Sequence, residues 1–418
     1  MTATTTDTPS TNQAQQPQSP DLHRLVFADA EFDGQFLRAL DTIGDGGADV
    51  GECFVTARGI PEGDHDAWYQ HWTALGDRVS ALADASLSAG RTVSARNGYL
   101  RATTYYRTAG VFLYRPPLDP RLTDSYRRQR AAFQAGAALL DCTFEVVQVS
   151  YQDTTLEAYF LTPGGAGPFP VVCLVGGYDG TKEESYFAGG RAALDRGYAV
   201  LLIDGPGQGG ALVEQGLVFR PDWEAVVTPQ IEWLLARPEV RADQIALLGR
   251  SWGGYLAPRA VTAEHRVAAV IADAAQYTPG PHAARMLPQQ YRDQFDTGDP
   301  ELLNDVLEQR MRVMPQLRFT IERGMLTHGV ATPLDYLRAA APYTIAPAVG
   351  SISCPVLVCE AENDVRSGDA KPLYDALTGA KEYIRFRNAD GAGEHDEAGA
   401  AALFATRAFD WLDGVLAR

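Results

Sequence analysis

The sequence predicts an α/β protein: a mostly parallel central sheet flanked by helices, preceded by an all-helical N-terminal domain and carrying a helical insertion. Three observations support this. After about residue 144, short and nearly all-apolar runs alternate with helix-length segments, the pattern of parallel strands buried on both faces. Before that point the apolar residues recur every three or four positions, as on one face of a helix. A longer helix-patterned stretch, about 276–345, separates two of the apolar runs.

Residues 1 to about 20 are rich in Thr, Gln, Ser and Pro, with almost nothing to bury, which predicts a disordered tail. Residues 21–140 form the predicted helical domain, a cap or lid. In AWYQHWTALGDRVSALADASLSAG the residues Trp68, Trp72, Leu75, Val79, Leu82 and Ala83 fall on one helical face. ARNGYLRATTYYRTAGVFLY and DSYRRQRAAFQAGAALL continue the helical pattern. Residues 141–418 form the predicted catalytic domain. FEVVQVSYQDTTLEAYFLTP reads as a β-hairpin with Gln152, Asp153 and Thr154 at its tip. The strands PVVCLV, AVLLI, IALLG, VAAVIA, PVLVCE and YIRFR follow, and ELLNDVLEQRMRVMPQLRFTIERG supplies helices to the insertion.

The net charge of −17 makes nucleic acid and anionic membrane poor partners. Only three lysines occur (Lys182, Lys371, Lys381), a bias we ascribe to the genome. Five cysteines without a C-x-x-C pair argue against zinc and against a secreted disulfide framework. The polar N-terminus has no signal-peptide core and no run approaches a membrane span, so a soluble, cytoplasmic protein is expected.

The sharpest chemical signal is Gly249-Arg250-Ser251-Trp252-Gly253-Gly254, directly after an apolar strand and before a helix-compatible segment. G-x-S-x-G in that setting is a nucleophile elbow, a strand turning abruptly into a helix with the serine hydroxyl exposed above the sheet. A glycine-rich phosphate loop or an ordinary turn is the competing reading. The serine needs a base, and here the order is Ser, then acid, then His on strand-end loops. Asp364 lies just past PVLVCE, with Glu360 and Glu362 as rivals, and His395 lies in the glycine-rich loop after the last strand. Of the seven histidines it alone has both the order and the kind of loop. Asp396 reads as solvated. The oxyanion donors are expected to be the Trp252 amide and, from GGYDG after PVVCLV, that of Tyr178 with Gly177 close behind. The Asp204-Gly205-Pro206-Gly207-Gln208-Gly209 loop lacks a nucleotide-binding pattern. Trp68, Trp72, Tyr105 and Tyr106 are candidates to line a substrate pocket, with helical core as the competing reading. No cofactor or metal is implied.

Four segments in order, GGYDGTKEE, DGPGQG, GRSWGGYLAPRA and GAGEHDEAGA, with WYQHW and YLRATTYYRTA in the helical part, carry a resemblance spanning most of residues 25–418. The chain resembles the α/β-hydrolases grouped with 2,6-dihydroxypseudooxynicotine hydrolase, the fungal naphthopyrone chain-shortening hydrolases and FrsA-like esterases. The resemblance implies the α/β-hydrolase fold, a Ser251, Asp364 and His395 triad, a site between helical domain and sheet, and a homodimer. Lys182, Glu183 and Glu184 match a family signature but also read as an ion-paired helix start. Relatives often have Cys where this chain has Asp396.

The first expectation is a serine hydrolase cleaving a carbon–carbon (1,3-diketone-like) or ester bond of a small acylated aromatic or polyketide-like molecule. Acyl transfer or cyclisation on the same triad is the second, and a ligand-binding protein on a hydrolase scaffold the third. A peptidase is also open, although no β-propeller-sized domain restricts entry.

Overall fold

The computed structural model describes residues 24–364 and 369–417, so the tail predicted for residues 1 to about 20 lies outside the described residues. The chain begins with helices α1 (Ala30–Asp41), α2 (Val50–Ala57), α3 (His65–Ser88), α4 (Thr92–Gly110) and α5 (Pro120–Ala137). Their starts follow from capping. The carboxylates of Asp29, Asp49, Asp64 and Asp119 each accept from main-chain N–H groups of the first turn, and Pro120 occupies a position whose missing N–H costs nothing. Phe27, Phe32, Phe36, Trp68, Trp72, Leu75, Val79, Tyr105 and Phe112 fill the core between these helices.

The sheet follows, with β1 (Thr143–Tyr151), β2 (Thr154–Thr162), β3 (Phe169–Val175), β4 (Ala199–Ile203), β5 (Val240–Gly249), β6 (Ala269–Ala272), β7 (Val356–Ala361) and β8 (Lys381–Phe386). Their spatial order is β1-β2-β4-β3-β5-β6-β7-β8. β1 and β2 form the antiparallel hairpin, β2 is antiparallel to β4, and every other pairing is parallel. Alternation along the strands divides the core in two. Val171, Cys173, Leu201, Leu247 and Val358 face one side, while Val172, Leu174, Leu202, Leu248 and Cys359 face the other. This two-sided burial is why the strands read as unbroken apolar runs.

Helices α6 (Lys182–Ser185), α7 (Arg191–Asp195), α8 (Gly209–Val213), α9 (Glu224–Leu235) and α10 (Gly253–Ala260) connect the central strands. The insertion carries α11 (Pro300–Val313), α12 (Pro315–His328) and α13 (Pro333–Ala340) and has its own small core of Leu303, Leu307, Ile321 and Leu337. The chain ends with α14 (Ala370–Ala376) and α15 (Ala401–Leu416). Cys53, Cys142, Cys173, Cys354 and Cys359 are all free thiols. No helix among the described residues is long and apolar enough to cross a membrane.

Candidate active site

The site starts from a strained turn. β5 ends at Gly249, α10 begins at Gly253, and Ser251 between them adopts φ +57°, a left-handed conformation that costs a non-glycine residue about 1–3 kcal/mol. The flanking glycines make the turn sterically possible. A Cβ at Gly249 would stand 2.0 Å from the Gly253 carbonyl oxygen, and one at Gly253 would stand 2.0 Å from that of Val175.

Above this turn two strand-end loops converge. Ser251 Oγ lies 2.8 Å from His395 Nε2, and His395 Nδ1 lies 2.7 Å from Asp364 Oδ2. Asp364 is a buried carboxylate with only acceptor oxygens, so Nδ1 carries the proton and Nε2 is left to accept from the serine. The rival acids are engaged elsewhere. Glu360 accepts from the Tyr383 hydroxyl and Glu362 from the Asn388 amide.

The loop after β3 forms the opposite wall. Gly177 abuts Ser251 so closely that a Cβ there would stand 2.9 Å from its Cβ and 3.2 Å from its Oγ. Gln208, in the glycine-rich loop after β4, donates from Nε2 to the carbonyls of Gly176 (2.7 Å) and Gly177 (2.9 Å). Its Oε1 in turn accepts from the Gly205 N–H at 3.0 Å. In a trans peptide the N–H points opposite the C=O, so pinning the Gly177 carbonyl turns the Tyr178 N–H the other way. Among the described residues the N–H groups of Tyr178 and Trp252 donate to no protein acceptor. Nothing in the sequence singles out Gln208, because its loop carries no nucleotide-binding pattern and its partners lie 31 and 32 residues away.

Two buried ionic clusters hold these walls. Asp179 faces Arg38 of α1 (3.0 Å), Arg107 of α4 (3.5 Å) and Arg323 of α12 (3.0 Å). Burial alone would raise the Asp179 carboxyl, but the charges of Arg38, Arg323 and Arg107 outweigh it and hold the group well below the usual carboxylate range. The Lys182 and Glu183 pair is more than an ion-paired helix start. Both are buried, and Lys182 Nζ meets Glu183 and Asp204 at 3.2 Å each, while Asp204 also accepts the Lys182 N–H at 2.6 Å.

Behind the elbow, Arg250 Nη1 lies 2.9 Å from Asp273 Oδ2 and 3.9 Å from Glu397 Oε2, and its guanidinium sits over the Phe404 ring. Burial raises the Asp273 carboxyl to about 6, opposed by the charge of Arg250 and reinforced by that of Asp396, and burial followed by the Asp273 charge pushes that of Glu397 well above its ordinary value. Both side-chain oxygens of Glu397 lack a hydrogen-bond donor among the described residues, which favours its neutral acid.

Two expectations are corrected. Asp396 is half-buried rather than simply solvated. Left-handed φ values at Asp396 (+56°) and Glu397 (+49°) fold its carboxylate back onto the elbow, where Oδ1 accepts the Ser251 N–H at 2.9 Å. The four aromatics offered as pocket lining belong to the helical domain's core. Trp68, Trp72 and Tyr105 are wholly buried and Tyr106 nearly so. Trp68 donates to the Thr108 carbonyl, Tyr105 to Glu52 and Tyr106 to Asp77. All four pack in the core between α3, α4 and their neighbours. Of the four, Tyr106 borders a small interior cavity, together with Arg107, Tyr126, Gln129 and Asp179.

A second aromatic cluster is built around the two residues whose N–H groups are unpaired among the described residues, Tyr178 and Trp252. The Tyr178 ring packs on Trp252 (4.9 Å), Phe219 (5.0 Å) and His328 (5.7 Å), and Trp252 on Tyr343 (5.3 Å). Among the described residues no group of three or more His, Cys, Asp or Glu is placed to hold a metal ion.

Residues 152–395 match the family described as X-Pro dipeptidyl-peptidase (S15 family). The chain is similar to hydrolase acrC of Aspergillus aculeatus, 33% identical over 417 residues and covering 91% of this chain and 96% of that one. It is likewise similar to the 20-hydroxy-prefusarin hydrolase FUS2 of Gibberella moniliformis, 33% identical over 415 residues with 95% and 99% covered. Among solved structures, 2,6-dihydroxy-pseudo-oxynicotine hydrolase matches with a TM-score of 0.68 at 24% identity, over 90% of this chain and 95% of that one. Wild-type AbyA5 matches with a TM-score of 0.60 at 17% identity, over 93% and 98%. The two structural likenesses show the fold.

Proposed function

This chain belongs to the α/β-hydrolases of the S15-type family together with the fungal hydrolases it matches, and on that premise we propose that it is a serine-triad hydrolase of a small acylated aromatic or polyketide-like molecule, cleaving an ester or a 1,3-diketone-like carbon–carbon bond. The observation that carries the reading is the unbroken hydrogen-bond chain from Ser251 through His395 to Asp364, at 2.8 and 2.7 Å, on a strained elbow.

In this reading Ser251 Oγ attacks the substrate carbonyl while His395 Nε2 takes its proton, and Asp364 holds the tautomer and stabilises the imidazolium. The negative charge developing on the carbonyl oxygen is met by the N–H groups of Trp252 and Tyr178. Such donors act without reorganisation, and losing one costs about 10²–10³ in kcat. His395 then returns the proton to the leaving group, an alkoxide or a carbanion delocalised into an adjacent carbonyl. Water, deprotonated by the same histidine, releases the acid. The relative named a 20-hydroxy-prefusarin hydrolase supports a small-molecule substrate rather than a polypeptide.

The test is intact-protein mass after treatment with a fluorophosphonate, comparing the native chain with Ser251→Ala. One adduct on the native chain and none on the variant is the expected result. Turnover should fall by about 10⁶ in the variant, as when a serine nucleophile is removed elsewhere. A folded native chain that takes no adduct, or a variant that keeps it, refutes the assignment. Product mass then separates hydrolysis, which adds one water, from cyclisation, which does not.

A further inference from the structure

We propose that Asp396 is a positioning residue for the reaction assigned above, clamping the nucleophile's main chain and placing a second carboxylate beside the catalytic imidazole. The inference rests on that assignment of Ser251 and His395.

The argument begins with strain. Asp396 and Glu397 are consecutive non-glycine residues in the left-handed region, directly after His395. Each costs about 1–3 kcal/mol and persists only where its surroundings over-determine it. Those surroundings come from three parts of the chain. Arg250 Nη2, from the elbow itself, donates to the Asp396 carbonyl at 2.5 Å. Glu397 is fully buried beside Asp273. Asp41, at the end of α1 in the helical domain, accepts the N–H groups of Gly399 (2.8 Å) and Ala401 (3.3 Å). The histidine loop is thereby tied down on both sides of the strained pair.

The strain aims one carboxylate oxygen at two groups. Asp396 Oδ1 accepts the Ser251 N–H at 2.9 Å and lies 3.7 Å from His395 Nε2. The first contact is charge-assisted and holds the serine in its left-handed turn. The second gains strength during the reaction. With Nε2 unprotonated there is no cation for Asp396 to attract; once the proton has moved from Ser251 Oγ to Nε2, an imidazolium stands beside it. An interaction stronger in the charged state than in the ground state contributes to rate rather than to binding. Asp396 takes no proton in this scheme. The proton passes from Oγ to Nε2 and on to the leaving group.

The charged groups around the imidazole are Asp364 on the β7 loop, Asp396 on its own loop, and Arg250 from the elbow, compensated by Asp273 and Glu397, with Asp41 beyond Gly399. Replacing Asp396 by Asn keeps an oxygen for the Ser251 N–H but removes the negative charge. A unit charge at this separation, screened as at a partly exposed site, moves a titration by about one pH unit.

The experiment uses the full chain with ring-labelled histidine, titrating His395 by NMR in the native protein, Asp396→Asn and Asp396→Glu. In parallel it follows the acid limb of kcat/KM on p-nitrophenyl acetate. The expected result is a downward shift of about one pH unit in Asp396→Asn, matched by the acid limb, with the native titration restored in Asp396→Glu. An unmoved titration in Asp396→Asn overturns the proposal, and so does a Glu variant that titrates like the Asn one. A native chain that reacts with fluorophosphonate while its Asn variant titrates unchanged removes only the role of Asp396. A native chain inert to the probe whose His395 still shifts removes the serine-hydrolase reading and leaves the carboxylate's effect on the ring standing.

Discussion

Replacing Asp179 by Asn takes one negative charge out of a buried cluster in which three guanidiniums face two carboxylates. Arg38 keeps Glu184, which it grips at 2.6 and 2.7 Å, and Arg107 keeps the same Glu184 at 3.2 Å. Arg323 pairs with no other carboxylate among the described residues, although it retains the rings of Tyr178 and Phe319. The native balance of three positive and two negative charges becomes three to one, with Arg323 desolvated and unpaired. Breaking a buried pair in this way costs about 3–5 kcal/mol, a large share of the roughly 5–15 kcal/mol that holds a domain folded. The assay is urea denaturation at pH 7, followed by tryptophan fluorescence and circular dichroism with coincident transitions. Asp179→Asn should lower the midpoint without changing the slope. Adding Arg323→Met, which removes the stranded charge, should recover at least about 1 kcal/mol, because the two sites are coupled. The carboxyl of Asp179 is held below its unfolded value. Its contribution is therefore complete above about pH 4 and is lost as pH falls below that, a dependence the Asn variant should lack. An Asp179→Asn protein within about 1 kcal/mol of native at pH 7 would refute the claim that this cluster latches the loop after β3 to the helical domain and the insertion.

Two further outcomes are expected. Glu397→Gln mimics the protonated acid beside Asp273, so it should stay within about 1 kcal/mol of native in a thermal melt at pH 7, whereas Glu397→Ala should lose more; a Gln variant as damaged as the Ala one would mean that Glu397 is not held as the neutral acid. Burial lowers His328 to about 4, so the native state holds it neutral while the unfolded chain protonates near 6.5; stability should fall by up to about 3 kcal/mol as pH drops through that window, and His328→Phe should flatten the dependence seen in chemical denaturation.

Much of the architecture was legible because it is written in short range. The strands β3 to β8 announce themselves as apolar runs, since each is covered on both faces. The helical domain shows in the three-and-four spacing of Trp68, Trp72, Leu75 and Val79. The elbow is legible because a serine at φ +57° between strand and helix tolerates only glycine on its flanks. Asp364 and His395 are legible as the acid and histidine that follow in order on strand-end loops, and in the structure His395 lies within hydrogen-bond reach of both Asp364 and Ser251.

Helical spacing could place Trp68 and Trp72 on one face of α3 but not say what that face meets. It meets the helical domain's own core, while the ring cluster around Tyr178 and Trp252 is built from the loop after β3, the elbow and the insertion. Asp396 read as solvated because its neighbours in the chain are small and polar, and nothing local shows that it reaches a main-chain N–H 145 residues away. Gln208 supports the loop after β3 across 31 residues, and Asp179 finds Arg38 across 141. The sequence by itself determined the elements, their order along the chain and the strained elbow that carries Ser251, because strand burial, helical spacing and turn sterics act between near neighbours. Only the tertiary structure decided which charges surround that serine, because a buried charge takes its partner from whatever element packs against it, however distant in the chain.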